Sequence, residues 1–142
     1  MNSASKPTRE RFIELVVRHL GRRPRRADGA TVSAVQRCER RLGLTLPVAM
    51  REYYLLANRL DQLTKAYNQL LSLGELRVES GHLVFMEENQ EVVDWGVPVR
   101  RLGEIDPIVF QRANAPRARW YSERLRFSAF LIRMFDWQAG MR

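Results

Sequence analysis

After Gly74 the apolar residues of this chain stop recurring about every 3.6 positions and begin to recur about every second one. That change limits the fold more than any other feature, because a segment patterned for one period cannot bury its apolar side in the other geometry. Ahead of the change, "RERFIELVVRHL" spaces Phe12, Leu15, Val16 and His19 for a helix over about 8–20, stopped by Gly21. "TVSAVQRCERRLGL" repeats the spacing through Val32, Val35, Cys38 and Leu42, with Thr31 as N-cap and Gly43 as the stop. "LPVAMREYYLLAN" opens a third helix with Pro47 in its first turn and Asn58 in the left-handed geometry of a helix end. "RLDQLTKAYNQLLSL" continues helically through Leu60, Leu63, Tyr67, Leu70 and Leu71.

Beyond Gly74, "HLVFMEE" is apolar on both faces, Leu83 and Phe85 on one and Val84 and Met86 on the other, which predicts a strand covered on both sides. "EVVDWGV" places Val93, Trp95 and Val97 on one face and Asp94 and Gly96 on the other. Asn89 in the intervening "ENQ" tolerates positive φ, so the two segments read as an antiparallel hairpin. "ELRVE", "IVFQ" and "RARWY" are shorter strand candidates. A last helix, "SAFLIRMFDWQA", carries Phe127, Phe130, Leu131, Met134 and Trp137 on its stripe, with Ser128 as cap and both Trp95 and Trp137 expected in the core. Helices, adjacent strands and a final helix make an α+β single domain: N-terminal helices, a central antiparallel sheet and a C-terminal helix packed on it. The length of 142 residues suits one such unit. Residues 1–30 are expected to be an N-terminal helix and basic linker, loosely attached, and residues 31–142 the folded domain.

Charge is unevenly distributed. Residues 1–60 carry 13 basic and 5 acidic side chains, residues 61–110 carry 4 and 9, and residues 111–142 carry 7 and 2, for a net charge of +8. An acidic middle between basic ends steers different partners to different faces. The N-terminal residues lack an apolar central region, no run approaches membrane-spanning length, and the lone Cys38 sits on a helix stripe as a reduced, buried thiol. Cytoplasmic residence is the expectation, with no membrane contact.

Residue chemistry supplies no anchor for catalysis. Two histidines and one cysteine stand far apart, which argues against a metal site, and there is no phosphate-cradling glycine loop or nucleophile elbow. No cofactor or small-molecule substrate is expected. Glu87, Glu88, Glu91 and Asp94 surround Trp95, yet adjacent strand residues point to opposite faces, so Glu87 and Glu88 cannot act together as acid and base. These four read instead as a charged hairpin surface for a partner. "RRPRR" offers Arg22, Arg23, Arg25 and Arg26 to phosphates, but no aromatic residue interleaves them for base stacking, and a solvated linker is the plainer reading. "RARWYSER" sets Trp120 and Tyr121 among arginines, and two aromatics at this period read as sheet core in preference to a stacking platform.

From Leu42 to about residue 137 the chain resembles the SUKH superfamily, which includes the fungal cell-wall-synthesis regulators and many bacterial toxin-immunity proteins. The resemblance is carried by "LGLTLPVAMREYYLLAN" (42–58), "LLSLGELRVESGHLVFMEENQEVVDWGVP" (70–98), "DPIVFQ" (106–111), and "WYSE" (120–123) leading into "FSAFLIRM" (127–134). "FMEENQ" followed by "WG" is its most specific part and looks like the bacterial branch. Arg59 and Glu91 stand where glycine is frequent in the family. The resemblance implies a non-catalytic α+β domain that neutralises a cognate bacterial toxin by direct binding. On that reading Glu87, Glu88, Glu91 and Asp94 contribute charge to the contact. The alternatives are nucleic-acid binding through the basic N-terminal and C-terminal segments, and a regulatory scaffold protein.

Overall fold

The helices begin and end where local chemistry supplies caps. In a computed structural model, which describes residues 6–64, 68–90 and 92–140, α1 (Thr8–Leu20) ends at Gly21, whose φ of 71° lets its N–H reach the Val17 carbonyl. α2 (Val32–Leu42) starts with the Thr31 hydroxyl accepting from Ala34 N at 3.1 Å and stops at Gly43. α3 (Val48–Ala57) follows Pro47; Asn58 keeps right-handed helical angles, not the left-handed ones expected of it.

The fourth helix is much shorter than the spacing predicts. α4 covers only Asp61–Thr64, residues 65–67 lie outside the described residues, and Gln69–Leu70 is already strand β1. Leu70 and Leu71 are buried against the sheet, where Leu71 N donates to Phe85 O at 2.7 Å, so pairing with β3 overrides the helical propensity of the leucine run.

Five more strands follow: β2 (Arg77–Glu79), β3 (His82–Glu87), β4 (Val93–Pro98), β5 (Ile108–Ala113) and β6 (Tyr121–Arg126). All pairings are antiparallel in the order β1-β3-β4-β5-β6, with β2 sharing the β1 edge of β3. The tightest turn joins β2 to β3, where Ser80 and Gly81 both take positive φ, 50° and 74°. That is the geometry of a two-residue hairpin. Asn89 is not among the positive-φ residues, so the β3–β4 connection uses another solution. β3 is covered on both faces as expected, but its register shifts between Val84 and Met86. Leu83 opposite Val97 and Met86 opposite Trp95 therefore share a face, where simple alternation would separate them.

Helix α5 (Phe127–Gly140) lies on one sheet face, with Phe127 and Phe130 meeting Phe85 at ring-centroid distances of 5.0 and 5.9 Å. Its first turn is held from a distance: the Ser128 N–H and hydroxyl both donate to Asp106, at 2.9 and 2.6 Å. Ser128 is thus the capped residue and not the cap.

The N-terminal segment belongs to the core, in contrast to the loosely attached appendage expected of residues 1–30. Phe12, Leu15 and Val16 are fully buried, and Phe12 packs edge-on to Tyr53 at 5.2 Å. The linker is pinned to α3 by Ala30 N to Tyr54 O at 2.9 Å, and it approaches so closely that a Cβ on Gly29 would lie 1.7 Å from Leu55 O. Arginine density at 22–26 signals exposure of those side chains, and the apolar stripe of α1 carries the packing.

Candidate functional site

At the end of the β3–β4 hairpin, strand alternation parts the neighbouring carboxylates. Glu87 stands opposite Asp94 on the face away from α5, and Arg77 bridges them, with Nη1 3.1 Å from Glu87 and Nη2 3.4 Å from Asp94. Arg112, opposite Asp94 on β5, reaches Glu79 at 2.8 Å, Ser80 Oγ at 3.0 Å and Asp94 at 3.7 Å. Its guanidinium also lies 4.6 Å over the Trp120 ring, which stacks on His82 at 3.9 Å. Asp94 is 1% exposed, and burial pushes its carboxyl above the usual range against the pull of Arg77 and Arg112. Burial and the charges of Arg100 and Arg112 likewise hold the His82 imidazole below its usual value.

This network corrects the reading of Asp94 as surface charge. It is walled in by its own sheet, and the Glu87 carboxylate is already committed to Arg77. Glu91 lies outside the described residues. Of the four hairpin carboxylates, Glu88 is the described one that forms no ion pair among the described residues; its backbone N–H closes the hairpin onto Val93 O at 2.9 Å. The acidic middle of the sequence is to that extent neutralised by Arg77 and Arg112.

On the opposite face, between α5 and the ends of the strands, Glu88 and Trp95 open onto a groove of about 570 Å³. The Trp95 indole N–H donates to Glu123 Oε2 at 2.8 Å, and its ring sits 5.9 Å from Phe130. Met134 and Trp137 of α5 and Asn68, just before β1, complete the wall with Leu125, while Arg133 stands at the rim. Trp95 is 7% exposed, as a core residue should be, but Trp137 is 49% exposed and does not join the core as its stripe position suggests. A wide aromatic wall with two carboxylates suits binding, since large aromatic side chains and desolvated polar groups are what interfaces use as anchors.

Glu123, Asn68 and Trp137 were not among the sequence-derived site residues. Glu123 sits in the "RARWYSER" stretch, whose arginines draw attention away from its one carboxylate, and Asn68 falls where a helix is expected. Only the sheet pairing brings them to Trp95.

The basic candidates behave differently from one another. Arg22 is 2.9 Å from Asp28, whose carboxylate also accepts from Arg25 N at 2.6 Å; the Arg22 hydrogen bond foremost holds that carboxyl below its usual range. Arg22 is therefore a structural clamp on the linker. Arg23, Arg25 and Arg26 are exposed and form no ion pair among the described residues. Cys38 is buried, and desolvation raises its thiol, as expected of an inert core cysteine.

Among the described residues no three His, Cys, Asp or Glu side chains gather as a metal site, and no helix is long and apolar enough to cross a membrane. Comparison with protein-family models, with curated proteins and with solved structures gave no match.

Proposed function

We propose that this chain is a non-catalytic protein-binding domain of the SUKH kind, acting in the cytoplasm as an immunity protein that neutralises a bacterial toxin by direct contact. The groove between Glu88, Trp95, Glu123 and Trp137 carries this reading: it joins a half-exposed tryptophan to two carboxylates outside the internal ion-pair network. The segment order that resembles the superfamily supplies the toxin as the kind of partner. The test is a titration of the purified chain with the product of the gene adjacent to its own, beside co-expression of the two. A stoichiometric complex and protection of the cells support the reading. No complex and no protection would reject it.

Nucleic-acid binding remains the rival reading because Arg23, Arg25 and Arg26 are exposed and form no ion pair among the described residues. A filter-binding titration against salt separates the two. Phosphate contacts by these three arginines give a steep salt dependence whose slope drops by about 3 when all three become alanine, whereas the protein-binding reading predicts no such component.

A further inference from the structure

The groove offers acceptors and aromatic rings from three separate parts of the chain. Asn68 is 4% exposed; its Nδ2 donates to Met134 Sδ at 3.2 Å and its backbone N–H donates to Gln138 Oε1. The sulfur can only accept here, which fixes the amide orientation and leaves Oδ1 as the buried atom without a partner among the described residues. Glu123 uses Oε2 for the Trp95 indole, and Oε1 makes no hydrogen bond among the described residues. The Glu88 side chain makes none either. An orphaned buried amide oxygen and two carboxylates beside tryptophan rings ask for a flat cation carrying several N–H donors. Arg133, the cation at the rim, is not within ion-pair distance of either carboxylate.

We propose that this groove seats an arginine side chain presented by the protein partner, a refinement that rests on the protein-binding reading above. A guanidinium has five N–H donors in one plane and two faces that stack on indole, so it can pair with Glu88 or Glu123 while lying against an indole of the wall. A lysine ammonium has three donors around one point and no face to stack. A neutral side chain leaves both carboxylates unbalanced in a partly apolar cleft.

The full chain, labelled with ¹⁵N, is titrated with N-acetyl-arginine N-methylamide and, separately, with the citrulline and lysine analogues. The arginine compound should move the Trp95 indole and Glu88 amide resonances saturably, the lysine compound more weakly, and citrulline not at all. Glu88→Gln with Glu123→Gln should weaken arginine binding at least about tenfold, and Glu88→Gln alone by less. Both glutamines keep an amide oxygen, so the Trp95 hydrogen bond and the fold persist, which the unchanged remainder of the spectrum verifies. Equal response to citrulline, no saturable response, or unchanged affinity in the double variant overturns the proposal. If the adjacent gene product binds the double variant as tightly as the natural chain, the arginine seat is wrong and the protein-binding reading survives. If arginine binds but that protein does not, the seat stands and the immunity reading falls.

Discussion

The two faces of the sheet use the same residue types to opposite ends. On the face away from α5, Glu79, Glu87 and Asp94 are bound by Arg77 and Arg112, with Trp120 and His82 stacked beside them, so charge and aromatic area are consumed within the chain. On the face toward α5, Glu88 and Glu123 stand beside Trp95 and Trp137 and form no ion pair among the described residues. The lesson is that an acidic and aromatic surface identifies a contact site only after its internal partners are subtracted. Removing one partner from the buried Asp94 leaves a charge without compensation, whereas carboxylates lining a cleft outside any ion pair can keep that interaction for another molecule.

Substitutions can break this contrast in descending order. Phe85→Ala removes the ring shared by Phe127 and Phe130 beneath the groove and should lower stability by about 4 kcal/mol in urea unfolding. A loss below about 1 kcal/mol would mean that α5 is not seated on the sheet as described. On the face away from α5, Gly96→Ala brings a Cβ to 2.9 Å from Leu83 O and 3.3 Å from His82 Cβ. Because backbone must move to admit it, the expected loss is about 2 kcal/mol, and a neutral result would show that the network tolerates expansion.

A smaller effect is expected from pH. The folded His82 imidazole titrates below the usual 6.5, so between the two values the unfolded chain binds more protons than the folded one. Stability is then full above 6.5 and falls as the pH drops toward the lowered folded value. Melting temperatures of the natural chain and of His82→Gln, taken across that window, should show a shallower acid loss in the variant. Equal slopes would place the acid sensitivity elsewhere. Least of all should change with Glu88→Gln, whose unfolding midpoint is expected to stay within about 0.5 kcal/mol of the natural chain.

Much of the fold was legible because it is written in local chemistry. Thr31, Gly21 and Gly43 cap and stop helices through bonds spanning a few residues, and the period change after Gly74 marks the strands. What was lost depends on contacts distant in sequence. Ser128 looks like a cap until Asp106 is found against it, and the leucines near 70 look helical until β3 pairs with them. The Ser80-Gly81 dipeptide carries a turn signal of its own, and it takes the positive φ values that Asn89 does not. For the site, alternation rightly separated Glu87 from Glu88 and Asp94 from Trp95, but nothing local says that Arg77 and Arg112 converge on Asp94 or that Glu123 and Asn68 reach Trp95.

The division of labour between the faces is tested most directly by urea unfolding of Arg112→Ala beside Glu88→Ala. Arg112 joins Asp94, Glu79, Ser80 and Trp120, and its loss leaves the buried Asp94 with Arg77 alone. The expected outcome is a loss of about 3 kcal/mol for Arg112→Ala and no measurable loss for Glu88→Ala. Equal losses, or a larger one for Glu88→Ala, would contradict the account.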